Sequence, residues 1–536
     1  MQQNVGWLER PLKKLGLDNL GAQQPCVTIY TRLLPGVTNV TDRAAYFGFY
    51  PWFIRAFEAR YPGASEAAFR EKLRLADCLL TLIAERHAIT QQEDISRHSA
   101  TCPGRLTLGP VAHQLHDDAE ADLARYADRS DDNKTRYFKN PLGGLGQYYL
   151  GPLRDEYAIL HGDPRKGVGY WIETGGPLAD AYGAGLEDEM FFAALEGGSV
   201  TARDLDDLAV FCPCSPQTPA RATARDALLA LFLRSRSPHG VARASSFGLL
   251  LDFLLHRGGA ETDDAVKDFL GSCYTATLPT GAWDVGEARA ATRRGWALYA
   301  RNEMLSLAWS TLFKNALDGL DGYPKPFPNI DALAQWLITT PAFAYRPPSG
   351  FDELVDGDLA SAPPLYDAAH PDHELALWRG LLGANPPSVE LALRLLVRLV
   401  ARWRHEEGDA YRELDLPVGA LSGYPLTLNS LQTLAADRWA GLTGEAWLKT
   451  LVSEVLVTHQ RIAIRKMGQS GEDTLMFRSG DLGFFVHREL ERNVETQPRL
   501  RQALQILRDL GLTVWEPQRL PRLTPLGEAQ LQELAQ

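Results

Sequence analysis

Cysteine is scarce in this 536-residue chain, with six in all. Cys26, Cys78, Cys102 and Cys273 stand alone, and Cys212-Pro213-Cys214 is the one close pair, with no second pair at metal-ligand distance. The spacing predicts no structural zinc, no other metal and no cofactor, and Cys78, on the apolar face of a helical pattern, reads as a buried small hydrophobe. Long apolar runs are missing too. The longest, near FGLLLDFLL (247 to 255), falls far short of a bilayer span, and MQQNVGWLERPLKKLGL has no apolar core of signal-peptide length. A soluble, cytoplasmic protein with no membrane partner is expected, so the glycosylation match Asn39-Val40-Thr41 is read as chance. Neither a phosphate-cradling Gly-x4-Gly-Lys-Ser/Thr loop nor a Gly-x-Ser-x-Gly elbow occurs. No catalytic residue is assigned, and the reading leans away from an enzyme.

What is present is an ordinary folded composition: 45% hydrophobic, 23% charged, 12 tryptophans and no low-complexity tract. The length exceeds one compact core, which makes the protein multidomain. Most of the chain reads helical. SEAAFREKLRLADCLLTLIAERH (65 to 87) places Phe69, Leu73, Leu80 and Ile83 on one face after a serine N-cap, and similar patterns recur at 224–236, 247–257, 286–317 and 388–404. Proline-rich connectors such as CPCSPQTPA (212 to 220) and YPKPFP (323 to 328) divide these helices into packets. The expected architecture is mainly α, a multidomain helical protein with one or two winged-helix (small α+β) domains: an N-terminal helical domain over 1–130, a possible winged helix over 131–190, a central helical domain over 191–450 and a C-terminal winged-helix-like domain over 451–536.

The end of the chain carries the first winged-helix pattern. In ALQILRDLGLTVWEPQRLPRLTPLGEAQLQEL (503 to 534), Leu504, Leu507 and Leu510 form a helical stripe that Gly511 terminates. Leu512 to Trp515 and Leu520 to Leu523 are β-prone around Glu516-Pro517-Gln518-Arg519, and Thr524-Pro525 opens a last helix as N-cap and first helical residue. Leu523, Thr524 and Gly527 resemble the Leu-Thr-x-x-Gly that closes the wing of bacterial winged-helix regulators. A second copy is expected upstream, with strands at Tyr157 to Leu160 and Val168 to Ile172 around HGDPRKG, and a helix opened by Thr174; there Pro177 replaces the glycine.

Charge sharpens the question of partners. The net charge is −12, so adhesion of the whole surface to nucleic acid is not expected. Arg461 to Arg522, however, holds 11 Lys/Arg against 8 Asp/Glu, and Lys134 to Tyr170 holds 6 against 3. The candidate DNA-contacting residues are Arg499, Arg501 and Arg508 on the helix, Arg519 and Arg522 on its wing, and Arg165 and Lys166 on the upstream wing. A solvated surface, or a winged helix that holds protein, is the competing reading. Arg394, Arg398 and Arg402, at i, i+4 spacing, read as a solvated face rather than a phosphate-tracking stripe. HQLHDD (113 to 118), with His87, offers His113, His116, Asp117 and Asp118 to a metal-dependent phosphohydrolase, but the sequence after His-Asp departs from that family's apolar continuation. His370 and His373 make no stronger case. PLGGLGQ (141 to 147) reads as a loop leading into the upstream winged helix rather than a cofactor loop.

Three blocks, LLPGVTNVTDRAAYFGFYPWFIRAFE (33 to 58), ARNEMLSLAWSTLFKNALDGL (300 to 320) and THQRIAIRKMGQSGEDTLMFR (458 to 478), resemble segments of large bacterial proteins whose genes sit among anti-phage defence systems. That resemblance implies a non-catalytic accessory component working beside a nuclease, helicase or ATPase. The combined expectation is a winged-helix protein that contacts duplex DNA in a defence or DNA-processing complex. The alternatives are a scaffold that holds partner proteins from neighbouring genes, and a metal-dependent phosphohydrolase or nuclease. Tyr46, Phe49, Tyr50, Trp52 and Phe53 are expected in the core, since aromatics at helical spacing usually pack.

Overall fold

A computed structural model of the protein describes residues 18–116, 119–163, 167–321, 323–404, 410–414, 416, 421, 423–471, 473–490 and 495–534. Helices dominate, and the strands among the described residues form five two-stranded sheets. No described helix is long and apolar enough to cross a membrane. The chain gathers into two compact units, each drawn from separate stretches of sequence: one comprises Met1–Tyr30, Lys267–Asp284 and Arg293–Pro498, the other Thr31–Val266, Val285–Thr292 and Arg499–Gln536.

The first unit is built on long helices. Glu287–Leu320, from Arg293 onward, and Gly444–Ser470 belong to it, with Phe351–Ser361, Glu374–Gly383 and Val389–Trp403. Trp309, Phe351, Trp439 and Trp447 form an aromatic cluster with ring centroids 5.1–6.1 Å apart. The arginine row on Val389–Trp403 is held by acids and carbonyls. Arg394 pairs with Asp372 at 2.6 Å, Arg398 with Asp358 at 2.6 Å, and Arg402 with the fully buried Glu374. These guanidiniums therefore tie helices together rather than forming a solvated stripe. His373 serves as N-cap of Glu374–Gly383, its Nδ1 accepting from the Leu375 N–H.

In the second unit the core forms around helix Ala45–Arg60, where Tyr46, Phe49, Tyr50, Trp52 and Phe53 are all buried. Gly48 is required there: a Cβ would stand 2.2 Å from the ring of Tyr182 on helix Gly175–Gly183. Beside it, helix Glu66–Gln91 is capped by Ser65, whose side chain accepts from the Ala68 N–H, and its buried Asp77 accepts from the Tyr50 hydroxyl (2.9 Å) and the Gly144 N–H (2.7 Å). Burial pushes the Asp77 carboxyl up to about 7. The glycine-rich 141–147 stretch thus supplies a backbone donor to a core carboxyl.

The terminal pattern takes the predicted element order. Helix Leu500–Asp509, the antiparallel pair Thr513–Val514 and Arg522–Leu523, and helix Pro525–Glu533 follow one another. The Leu-Thr-x-x-Gly pattern has a physical basis. The Thr524 side chain accepts from the Gly527 N–H (3.1 Å) and donates to the Gly511 carbonyl (2.7 Å), and a Cβ on Gly527 would lie 2.2 Å from the Leu512 carbonyl oxygen. Upstream, strands Leu160–Asp163 and Gly167–Tyr170 pair antiparallel ahead of helix Gly175–Gly183, shifted from the predicted bounds because pairing extends toward the turn. The shared elements are helix and hairpin.

One buried ion pair joins the early and terminal segments of this unit. Arg43 Nε lies 2.9 Å from Asp509, both side chains are fully buried, and the remaining Arg43 nitrogens donate to the carbonyls of His98 (2.7 Å) and Arg97 (2.8 Å). Removing one member leaves the other charged and unpaired in the interior. Asp509→Ala should lower stability to denaturant by about 3–5 kcal/mol, whereas the joint Arg43→Met/Asp509→Leu change should cost less than either single change. A loss below about 1 kcal/mol in Asp509→Ala would contradict this role.

Candidate metal centre

Two separate stretches of the second unit bring their metal-ligating side chains together. The helix Glu66–Gln91 carries His87 one turn before its end, and its C-cap Gln92, with φ of 55°, reverses the chain. Asp94 then caps the short helix Ile95–His98, its side chain accepting from the Ser96 N–H, and this turn presents His98. The other stretch is a chain of tight turns. Cys212 closes the 3-10 turn Ala209–Phe211, Pro213 cannot continue a helix, and the Ser215 N–H bonds back to the Cys212 carbonyl at 2.8 Å. Both thiols thereby face the two imidazoles.

The four donor atoms of His87, His98, Cys212 and Cys214 lie within 4.8 Å of one another. His98 Nδ1 is 3.4 Å from Cys212 Sγ and His87 Nδ1 is 3.5 Å from Cys214 Sγ. With zinc–sulfur and zinc–nitrogen bonds of about 2.3 and 2.0–2.1 Å, a tetrahedron has nitrogen–sulfur edges of about 3.5 Å, so these separations are those of a ligand set. His98, Cys212 and Cys214 are buried and His87 is half-buried. The site is closed to bulk water on most sides.

The surroundings orient the ligands. His98 Nε2 lies 2.9 Å from Glu93, which is also bound by Arg97 at 2.8 and 3.0 Å. With Nε2–H donating to Glu93, Nδ1 directs its lone pair at the centre, the arrangement by which a carboxylate sets the tautomer of a metal-binding imidazole. Arg86, next to His87, makes a two-pronged ion pair with Asp206 at 2.8 and 2.7 Å, tying the His87 helix to Ala202–Asp207, just before the cysteine turns. The thiols respond unequally. Hydrogen bonding from Cys212, then from His87 and His98, draws the Cys214 thiol well below the usual thiol range, while burial pushes Cys212 up. The bond to Cys214 raises His87. A bound divalent cation would replace these contacts and hold both sulfurs as thiolates.

This ligand set departs from the expectation drawn from cysteine spacing. Cys212 and Cys214 do have a second pair, but it is of imidazoles, and His98 lies 114 positions from Cys212. The signals visible in the sequence are the Cys-Pro-Cys turn and His87, although His87 there reads with His113 and His116. The structure leaves His113 and His116 exposed, and Asp117 and Asp118 lie outside the described residues.

The candidate DNA-contacting residues divide into two groups. Arg499 donates to the Val37 carbonyl at 2.8 Å and Arg508 to the Ser96 hydroxyl at 2.6 Å, with its guanidinium 4.9 Å from the Trp515 ring. These two hold the terminal helix in its unit. Arg501, Arg519 and Arg522 have side chains 68%, 47% and 57% exposed, beside Asp264, the Gly259 carbonyl and Glu516 respectively. Arg165 and Lys166 lie outside the described residues. Compared with protein-family models, with curated proteins and with solved structures, the chain gives no match.

The Glu93 contact predicts a graded effect. Glu93→Gln should weaken metal binding by about 10–100-fold without changing the number of ions bound, as measured by competition with a chromophoric chelator. Unchanged affinity would show that Glu93 does not orient His98.

Proposed function

We propose that this is a zinc-binding protein in which the ion is structural, clamping the turn at His87–His98 to the turns at Cys212–Cys214. The observation that carries the reading is the convergence of two imidazoles and two thiols whose donor atoms lie within 4.8 Å of one another, with two nitrogen–sulfur separations of 3.4 and 3.5 Å. Two cysteines and two histidines form a set that selects zinc, and four protein donors leave no position for a reacting water, as a catalytic zinc would need. The reading fits a non-catalytic, accessory role. Protein purified without chelator should hold about one zinc per chain by elemental analysis, and cobalt substitution should give a tetrahedral absorption spectrum. The Cys212→Ser/Cys214→Ser protein should hold none, and chelation of the parent should lower its melting temperature. Metal-free protein that takes up no zinc and melts unchanged with chelator would overturn the proposal.

A second reading is contact with duplex DNA through the terminal helix and hairpin, favoured by the exposure of Arg501, Arg519 and Arg522. Only these three are suitable for substitution, because Arg499 and Arg508 hold the fold. Reversing all three to Glu should abolish a salt-dependent mobility shift of duplex DNA and leave the melting temperature unchanged. A shift that persists would assign these arginines to the solvated surface or to a protein partner.

A further inference from the structure

The two turns that supply the metal ligands also hold the terminal helix of the second unit. Gln217 ends the 3-10 turn Ser215–Gln217, directly after Cys214, and its N–H bonds back to the Cys214 carbonyl at 3.1 Å. Its side-chain Nε2 donates to the Arg508 carbonyl at 3.0 Å, near the end of helix Leu500–Asp509. From the other turn, Ser96 lies in the short helix Ile95–His98, two residues before the ligand His98. Its hydroxyl accepts from Arg508 Nη1 at 2.6 Å, and its carbonyl accepts from Gln505 Nε2 at 3.3 Å. The last turn of the terminal helix is thus held by both ligand-bearing turns.

Ser96, Gln217, Gln505 and Arg508 are half-buried, so water competes for these contacts and each holds only while donor and acceptor keep their places. His98 and Cys212 are 114 positions apart in sequence, and a four-coordinate ion fixes their separation. It therefore fixes the separation of the two anchors. Without the ion, the turns meet at this point through sulfur–imidazole contacts of 3.4 and 3.5 Å, which are weak hydrogen bonds. The buried ion pair of Arg43 and Asp509 depends on the same turn, because Arg43 also donates to the carbonyls of Arg97 and His98. A shift of His98 would strip those acceptors from a buried charge.

We propose that the ion sets the docking of the terminal helix and hairpin, so that its loss loosens this segment ahead of the rest of the unit. The inference rests on the structural-zinc reading. Its consequence is that the face carrying Arg501, Arg519 and Arg522 is held in one orientation only in the metal-bound protein. The coupling is reciprocal: what metal binding adds to docking, docking adds to metal affinity. Hydrogen exchange of the full chain, followed by mass spectrometry with zinc bound and after chelation, tests it. Amides of Leu500–Asp509 should exchange about tenfold or more faster without the ion, while those of Ala45–Arg60 and Gly175–Gly183 change by less than about twofold. Ser96→Ala/Gln217→Ala touches neither a donor atom nor Glu93. This variant should still bind about one zinc per chain, with affinity lower by about tenfold, and should show the faster exchange of the terminal helix even with zinc bound. Equal exchange of that helix with and without the ion, or wild-type zinc affinity in the double variant, would overturn the coupling and leave the structural-zinc reading standing. Uniform acceleration across the unit would also overturn it, since the ion would then serve the whole core. A chain that takes up no zinc removes the reading and this inference together.

Discussion

The ion pair between Arg43 and Asp509 spans 466 positions of sequence inside one compact unit, and much of that unit's organisation follows from it. An isolated charge at either position would be too costly to bury, so the guanidinium must meet its carboxylate and give its other nitrogens to carbonyls. Those carbonyls belong to Arg97 and His98. The same arginine therefore locks the terminal helix and fixes the short turn that presents a ligand to the metal centre. Asp509 adds the Ala44 N–H at 3.0 Å, which holds the start of the aromatic helix.

The metal centre shows how ordinary local chemistry produces an unusual constellation. A helix that ends in a left-handed residue, an aspartate-capped turn and a proline between two cysteines are each common devices. None of them implies a ligand. Their meeting does, because it brings two buried thiols against one nitrogen of each of two imidazoles, a donor set that an ion can satisfy. In the first unit, buried and half-buried guanidiniums are satisfied in the ordinary way: the arginine row on Val389–Trp403 is engaged by Asp358, Asp372 and Glu374.

How much was legible varied with the range of the interaction. Helical periodicity, serine and threonine caps and the terminal helix–hairpin–helix could be read directly, because capping and turn chemistry act over a few residues. Gly527 is a clear case, since its role is set by the Leu512 carbonyl only a short stretch away. The aromatic run at 46–53 lies in the core, as its helical spacing predicts. The approach of His87 and His98 to Cys212 and Cys214 is not legible in the sequence, because no spacing rule links either histidine to a cysteine pair more than a hundred residues on. Likewise the charge count could not separate Arg499 and Arg508, which bind within the unit, from Arg501, Arg519 and Arg522, which face solvent.

By itself, then, the sequence determined a mainly helical protein, where its helices start and stop, which faces are apolar, and that its terminal helix leads into a hairpin. These follow from steric and hydrogen-bonding rules that act within one or two turns of chain. The tertiary structure alone decided which histidines meet which cysteines and which arginines pair with which acids. Such outcomes depend on the burial of charge and the convergence of distant segments, and no local pattern encodes either.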